Sequence, residues 1–177
     1  DGRGEAKRRA VPAVLIRSLF GHAGSCEGEG VLEPVRAAVA VSPTLPVSAG
    51  MSRPVHVVAP DAPLTMAREL MHAYACRHLP VVEKTPEGDR VVGVVTLSDL
   101  YAAEAILEAD PDETSIDAIM AREAYTVESG TPLREVVTEM ARRHVGSALV
   151  MEGDRLVGLF TATDACRVLA DLLARGP

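Results

Sequence analysis

The chain has 177 residues and a formal charge of −7, with hydrophobic residues at 47%, aromatics at 3% and no Trp, so a core has to be built from Val, Leu, Ala and Met. An acidic chain of this kind is poorly suited to grip a nucleic-acid backbone nonspecifically, and no apolar run approaches the ~20 residues that span a bilayer. Cys26, Cys76 and Cys166 show no CxxC spacing and no adjacent His, which indicates neither a disulfide framework nor a zinc site but free thiols in a reducing, cytoplasmic compartment.

Residues 1–50 differ from the rest. Gly and Pro recur through them, from Gly21 to Pro46, without a period of 2 or 3.6, and they carry six Lys/Arg against five Asp/Glu, where the remainder carries 12 against 20. They read as an irregular leader. Lys7-Arg8-Arg9 followed by the apolar residues 11–16 resembles the start of a secretion signal, but Arg17 interrupts it and export is not expected. Residues 31–41 suit a short helix or strand. The chain starts at Asp1, as a processed form or part of a longer polypeptide would.

From Met51 onward the pattern becomes regular. Residues 55–58, Val-His-Val-Val before Pro60, predict a strand. Asp61 is placed to cap a helix with Pro63 in its first turn, and Leu64, Ala67, Leu70, Met71 and Tyr74 form one apolar stripe that ends before Pro80. Val81-Val82 and residues 90–96 predict a hairpin about Glu87-Gly88-Asp89. A second helix is expected over residues 98–107, with Leu100, Ala103 and Leu107 on one face. After Asp110-Pro111, a linker with Ile116, Ile119 and Met120 suggests a short connecting helix.

The same order then returns: a strand at residues 125–127, a helix over 131–143, a hairpin from 148–151 and 156–160, and a helix over 163–173 with Ala165, Val168, Leu169 and Leu172 on its face. The chain is duplicated. Gly93, Thr96 and Asp99 recur as Gly158, Thr161 and Asp164 at an offset of 65, while upstream Met51, Arg53, Val58 and Met71 recur as Met120, Arg122, Val127 and Met140 at 69. A four-residue insertion near residues 84–86, in a turn, accounts for the change. This gives a leader (1–50), a first repeat (51–109), a linker (110–119) and a second repeat (120–174). Each repeat is β-α-β-β-α, an α+β (α/β mixed) unit too small to cover its own sheet, so the two are expected to pack sheet to sheet with pseudo-two-fold symmetry.

In this arrangement Met51-Ser52-Arg53-Pro54-Val55, His78-Leu79-Pro80-Val81-Val82 and residues 93–100, with their partners at 120–122, 147–151 and 158–164, resemble a tandem pair of CBS domains, the family named after cystathionine β-synthase. The second copy departs from the pattern with Leu149 where the first has Pro80, and residues 1–50 lie outside the resemblance. The resemblance implies a regulatory module rather than an enzyme. It implies clefts between repeats that take adenosine-containing ligands such as AMP, ADP, ATP, S-adenosylmethionine or NAD, and assembly into a flat homodimer that signals to an effector protein.

The residues themselves fit that chemistry. Thr96, Ser98 and Asp99, and likewise Thr161, Thr163 and Asp164, converge where a strand enters a helix, and vicinal ribose hydroxyls donate to a carboxylate and exchange hydrogen bonds with a hydroxyl. Backbone N–H groups at the helix start favour phosphate. Equally, Ser98 or Thr163 serves as a helix cap, with Asp stabilising the helix dipole by about 0.3–1 kcal/mol without any ligand. By the family pattern an adenine slot falls to His56, Tyr125, Thr126, Leu79 and Ala148, and Val55 and Leu79 also suit a core role. Arg143 and His144 stand near a helix C-terminus, where Arg offers a planar fork for phosphate. No nucleophile–base set, phosphate loop or metal-spaced cluster argues for catalysis. A ligand-free dimerisation or protein-interaction module is the alternative.

Overall fold

A computed structural model describes residues 45–174; the basic cluster at Lys7, residues 31–41 and Cys26 lie outside the described residues. Four helices and five strands follow in the order α1 (Leu64–Ala73), β1 (His78–Thr85), β2 (Gly88–Thr96), α2 (Leu97–Leu107), β3 (Thr126–Glu128), α3 (Leu133–Arg143), β4 (Ser147–Glu152), β5 (Arg155–Thr161) and α4 (Ala162–Ala174). Short 3-10 turns at Val47–Ala49 and Ile116–Ala118 precede the two repeats. The result is a mixed α/β fold of two like repeats.

Pro63, not Asp61, occupies the N-cap of α1, without a side-chain bond. Leu64, Ala67 and Met71 of α1 and Leu133, Val136 and Met140 of α3 are buried at the 3.6-residue period. Tyr74, at the end of the stripe in α1, stays 51% exposed. Arg68 Nη1 of α1 donates to both carboxylate oxygens of Glu104 of α2, at 2.7 and 2.8 Å, which ties the two helices together. In α4 the apolar face is only partly used: Ala165 and Val168 pack on the core, and Leu169 is 56% exposed.

The two hairpins are alike at their turns and differ in length. Strands β1 and β2 have eight and nine residues, β4 and β5 six and seven, and each turn holds two residues. The four-residue insertion therefore extends the strands rather than the turn. Each hairpin also shifts register by one residue, between Val81 and Val82 and between Val150 and Met151.

The first strand of each unit shows a sharper difference. In the second repeat β3 runs parallel to β4, and Leu149 donates its N–H to the Tyr125 carbonyl at 2.8 Å. The duplicated position in the first repeat is Pro80, which has no N–H to give to His56. Only the bridge of Val58 to Val81 survives there, so the expected strand at residues 55–58 is absent.

The repeats exchange their lead-in segments. Residues 45–50, which the sequence assigns to the leader, belong to the second repeat: Leu133 donates to the Leu45 carbonyl at 2.8 Å, and fully buried Val47 lies in the cluster of Leu133, Val136 and Phe160. Residues 114–120, read as linker and the start of the second repeat, complete the first repeat, where Leu64 donates to the Thr114 carbonyl at 3.1 Å and Ile116, Ile119 and Met120 join Leu64, Leu79 and Leu100. The segments then pair with the opposite last strand, Ser52 with Leu159 and Ala121 with Val94. Gly93 is required there, because a Cβ would stand 2.7 Å from the Ala121 carbonyl oxygen.

Candidate functional site

Each repeated Thr and Asp is locked into a helix N-terminus. At the start of α2, Thr96 donates its N–H and its Oγ1 hydroxyl to Asp99 Oδ2 at 2.8 and 2.7 Å, and Asp99 returns its N–H to Thr96 Oγ1 at 3.2 Å. The start of α4 repeats this with Thr161 and Asp164 at 2.9, 2.7 and 3.2 Å. These are capping boxes with Asp in the third position. The cap is thus Thr96 and Thr161, not Ser98 and Thr163, which are exposed.

The two boxes differ at the second carboxylate oxygen. Asp164 is 3% exposed, and its Oδ1 accepts from Ser52 Oγ at 3.0 Å and from Arg167. At the duplicated positions around Asp99 stand Ala121 and Ala102, neither of which has a side-chain donor. Asp99 Oδ1 accordingly has no hydrogen-bond partner among the described residues, and Asp99 is only partly buried. One carboxylate is satisfied on both oxygens and the other keeps an acceptor free.

Both boxes lie near one imidazole. Burial, with Arg77 beside it, pushes His78 below the ordinary range, against the pull of Asp99 and Asp164. His78 Nε2 lies 3.1 Å from where a Gly146 Cβ would stand, and Arg77 Nη2 donates to Thr163 Oγ1 at 3.5 Å. Arg77 and His78 of the first repeat therefore reach across to the second. Their duplicates, Gly146 and Ser147, make room for them. This junction is what sequence reasoning underweighted: His78, Arg77 and Ser52 were legible only as positions where the two copies differ.

The remaining candidates fall into three groups. His56 stacks on Tyr74 at 3.4 Å between centroids and 11° between planes, and at the duplicated positions the Arg143 guanidinium sits 4.9 Å over the Tyr125 ring. Both pairs join the segment leading into each repeat to the end of the following helix. Arg143 is also held by Glu139, whose carboxyl Arg142 and Arg143 bring down to about 2. His144 is the exposed left-handed C-cap of α3, at φ 53°. Thr126 is exposed on β3. Leu79 and Ala148 are fully buried in the two cores, so their side chains line no slot.

No three or more His, Cys, Asp or Glu side chains among the described residues are grouped to hold a metal, and no described helix is long and apolar enough to cross a membrane.

Known proteins agree with this architecture. An inosine-5′-monophosphate dehydrogenase from Thermoplasma acidophilum is 30% identical over 113 residues, 63% of this chain and 21% of the relative, so the chain spans about a fifth of that protein. A conserved protein of uncharacterised role from Pyrococcus horikoshii superposes with a TM-score of 0.63 at 28% identity, covering 73% of this chain and 95% of that one. The CBS domain pair of protein MJ0100, solved in complex with 5′-methylthioadenosine and S-adenosyl-L-methionine, gives 0.65 at 24% identity, covering 73% and 98%. The CBS domain profile matches residues 46–105 and 116–171. The chain belongs to the CBS domain family, as a tandem pair.

Proposed function

We propose that this pair is a regulatory module that binds one adenosine-containing ligand, of the group AMP, ADP, ATP, S-adenosylmethionine and NAD, in the cleft at Thr96 and Asp99. The observation that carries the reading is the free Oδ1 of Asp99 beside a helix N-terminus. A ribose hydroxyl donates to that oxygen without breaking the capping box. The adenosyl ligands of the MJ0100 pair support the ligand class. Asp164, closed by Ser52 and Arg167, is the weaker site.

In this reading the pair does no chemistry of its own and passes the bound state to an effector protein. Tyr101 and Ile106 of α2 and Leu169 and Leu173 of α4, exposed by 48–65%, supply the surface for a homodimer. Free thiols at Cys76 and Cys166 suit a cytoplasmic setting. The same apolar residues favour a second reading, a dimerisation module with empty clefts. Calorimetric titration of the whole chain with the five ligands separates the two. Micromolar binding, about −8 kcal/mol, by at least one supports the sensor; absence of heat and of thermal stabilisation with all five favours the dimerisation module.

A further inference from the structure

A depression between the repeats is lined by both hairpin turns. Its floor includes Val57, Val82, Val127, Met151 and Leu156, and Val57 is 42% exposed. Its rim carries Glu87, Asp89, Glu128, Glu152 and Asp154. The two rim arginines, Arg90 and Arg155, are paired with Glu83 and Glu152, so negative charge is left over. One wall, β3, is the outer strand of its sheet, with a backbone edge that is unpaired among the described residues. An apolar floor with an acidic rim and a free edge calls for an apolar segment bearing positive charge.

The chain contains such a segment, and the nucleotide reading gives it no role. Lys7, Arg8, Arg9 and Arg17 surround Val14, Leu15 and Ile16, with Leu19 and Phe20 following, and no Asp or Glu occurs from residue 6 to 26. The described chain enters the fold beside the groove: Ser48 donates its N–H to the carbonyl of Ser129, the residue after β3, at 3.2 Å. Residues 21–44 reach at most about 80 Å, ample for a domain of this size. We propose that residues 7–20 dock in this groove of their own chain, basic residues on the acidic rim and apolar residues on the valine floor.

The test uses the full chain, ¹⁵N-labelled, with a nitroxide on Cys26 in a Cys76→Ala, Cys166→Ser background. Docking predicts that at low ionic strength the tag broadens Val57, Gly88, Val127 and Gly153, and that high salt or Lys7→Glu/Arg8→Glu/Arg9→Glu removes the effect. Without any tag, amide exchange at residues 55–57 and 126–128 should rise roughly tenfold in the charge-reversed chain relative to wild type. No broadening together with unchanged exchange overturns the proposal. So does broadening confined to mixtures of tagged unlabelled and untagged labelled chains, which assigns the groove to a second copy.

Discussion

Ser52 donates a hydrogen bond to Asp164 across the two repeats at 3.0 Å, and the residue duplicated from it, facing Asp99, is Ala121. The same exchange of a donor for a methyl group recurs at Arg167 and Ala102. A duplicated motif has thereby acquired two roles, a buried tie at Asp164 and an open acceptor at Asp99.

Stability should register this division. Asp99→Ala removes a capping box and should cost about 1 kcal/mol. Asp164→Ala also removes the bonds that Ser52 Oγ and Arg167 make to a carboxylate only 3% exposed, and should cost about 1 kcal/mol more. Urea unfolding of the two variants in the absence of ligand checks the order; equal losses would mean that the Ser52 contact contributes nothing.

The exchanged lead-ins should behave as core. Ile116→Ala is expected to destabilise by about 2–5 kcal/mol and Val47→Ala by about 2 kcal/mol, although both residues lie before the repeats they introduce. If denaturant midpoints of either variant match wild type, the exchange does not hold the pair together.

Gly93 and Gly158 invite a paired experiment. A Cβ on Gly93 meets a backbone oxygen, which cannot yield without moving the Ala121 segment, whereas on Gly158 it meets the Sδ of the flexible Met51 side chain. Gly93→Ala should cost about 1–3 kcal/mol that no side-chain change restores, while Met51→Ala should restore part of the loss in Gly158→Ala. A double-mutant cycle with zero coupling between residues 51 and 158 would contradict this.

His78 fixes a pH dependence. Because burial holds its pKa in the folded chain below the unfolded value of about 6.5, the unfolded chain takes up the proton more readily. Stability contributed by neutral His78 is present above pH 6.5, falls as pH drops through 6.5, and levels off below the folded pKa. Arg77, Asp99 and Asp164 face the ring, so His78→Asn, which keeps them, should flatten the decline between pH 7.5 and 5 in urea titrations. An identical slope in the variant would assign the dependence to other groups.

The sequence was legible wherever one local rule decided the outcome. Apolar spacing placed α1 and α3, and turn chemistry placed both hairpins. The absent strand at residues 55–58 was not legible from its own β-branched residues, because what denies it a ladder is the missing N–H of Pro80, on another element. Ser98 and Thr163 looked like caps because they stand inside the turn; the bond geometry passes that role to Thr96 and Thr161, two residues earlier at the end of each strand. Leu169 fits the helical stripe yet faces outward, since the core beneath α4 is already filled by Phe160 and by Val47 from the exchanged lead-in. The asymmetry between Asp99 and Asp164 was written in the comparison of Ser52 with Ala121, but only contact across the repeats gives that difference a meaning.

Calorimetric titration of the best of the five ligands into wild type, Asp99→Ala and Asp164→Ala, each shown to be folded by its unfolding transition, tests the central claim most directly. The account predicts one site per chain in wild type, loss of at least tenfold in affinity, about 1.4 kcal/mol, for Asp99→Ala, and near wild-type binding for Asp164→Ala. Undiminished binding in Asp99→Ala, or its loss only in Asp164→Ala, would contradict the assignment of the open acceptor as the ligand site.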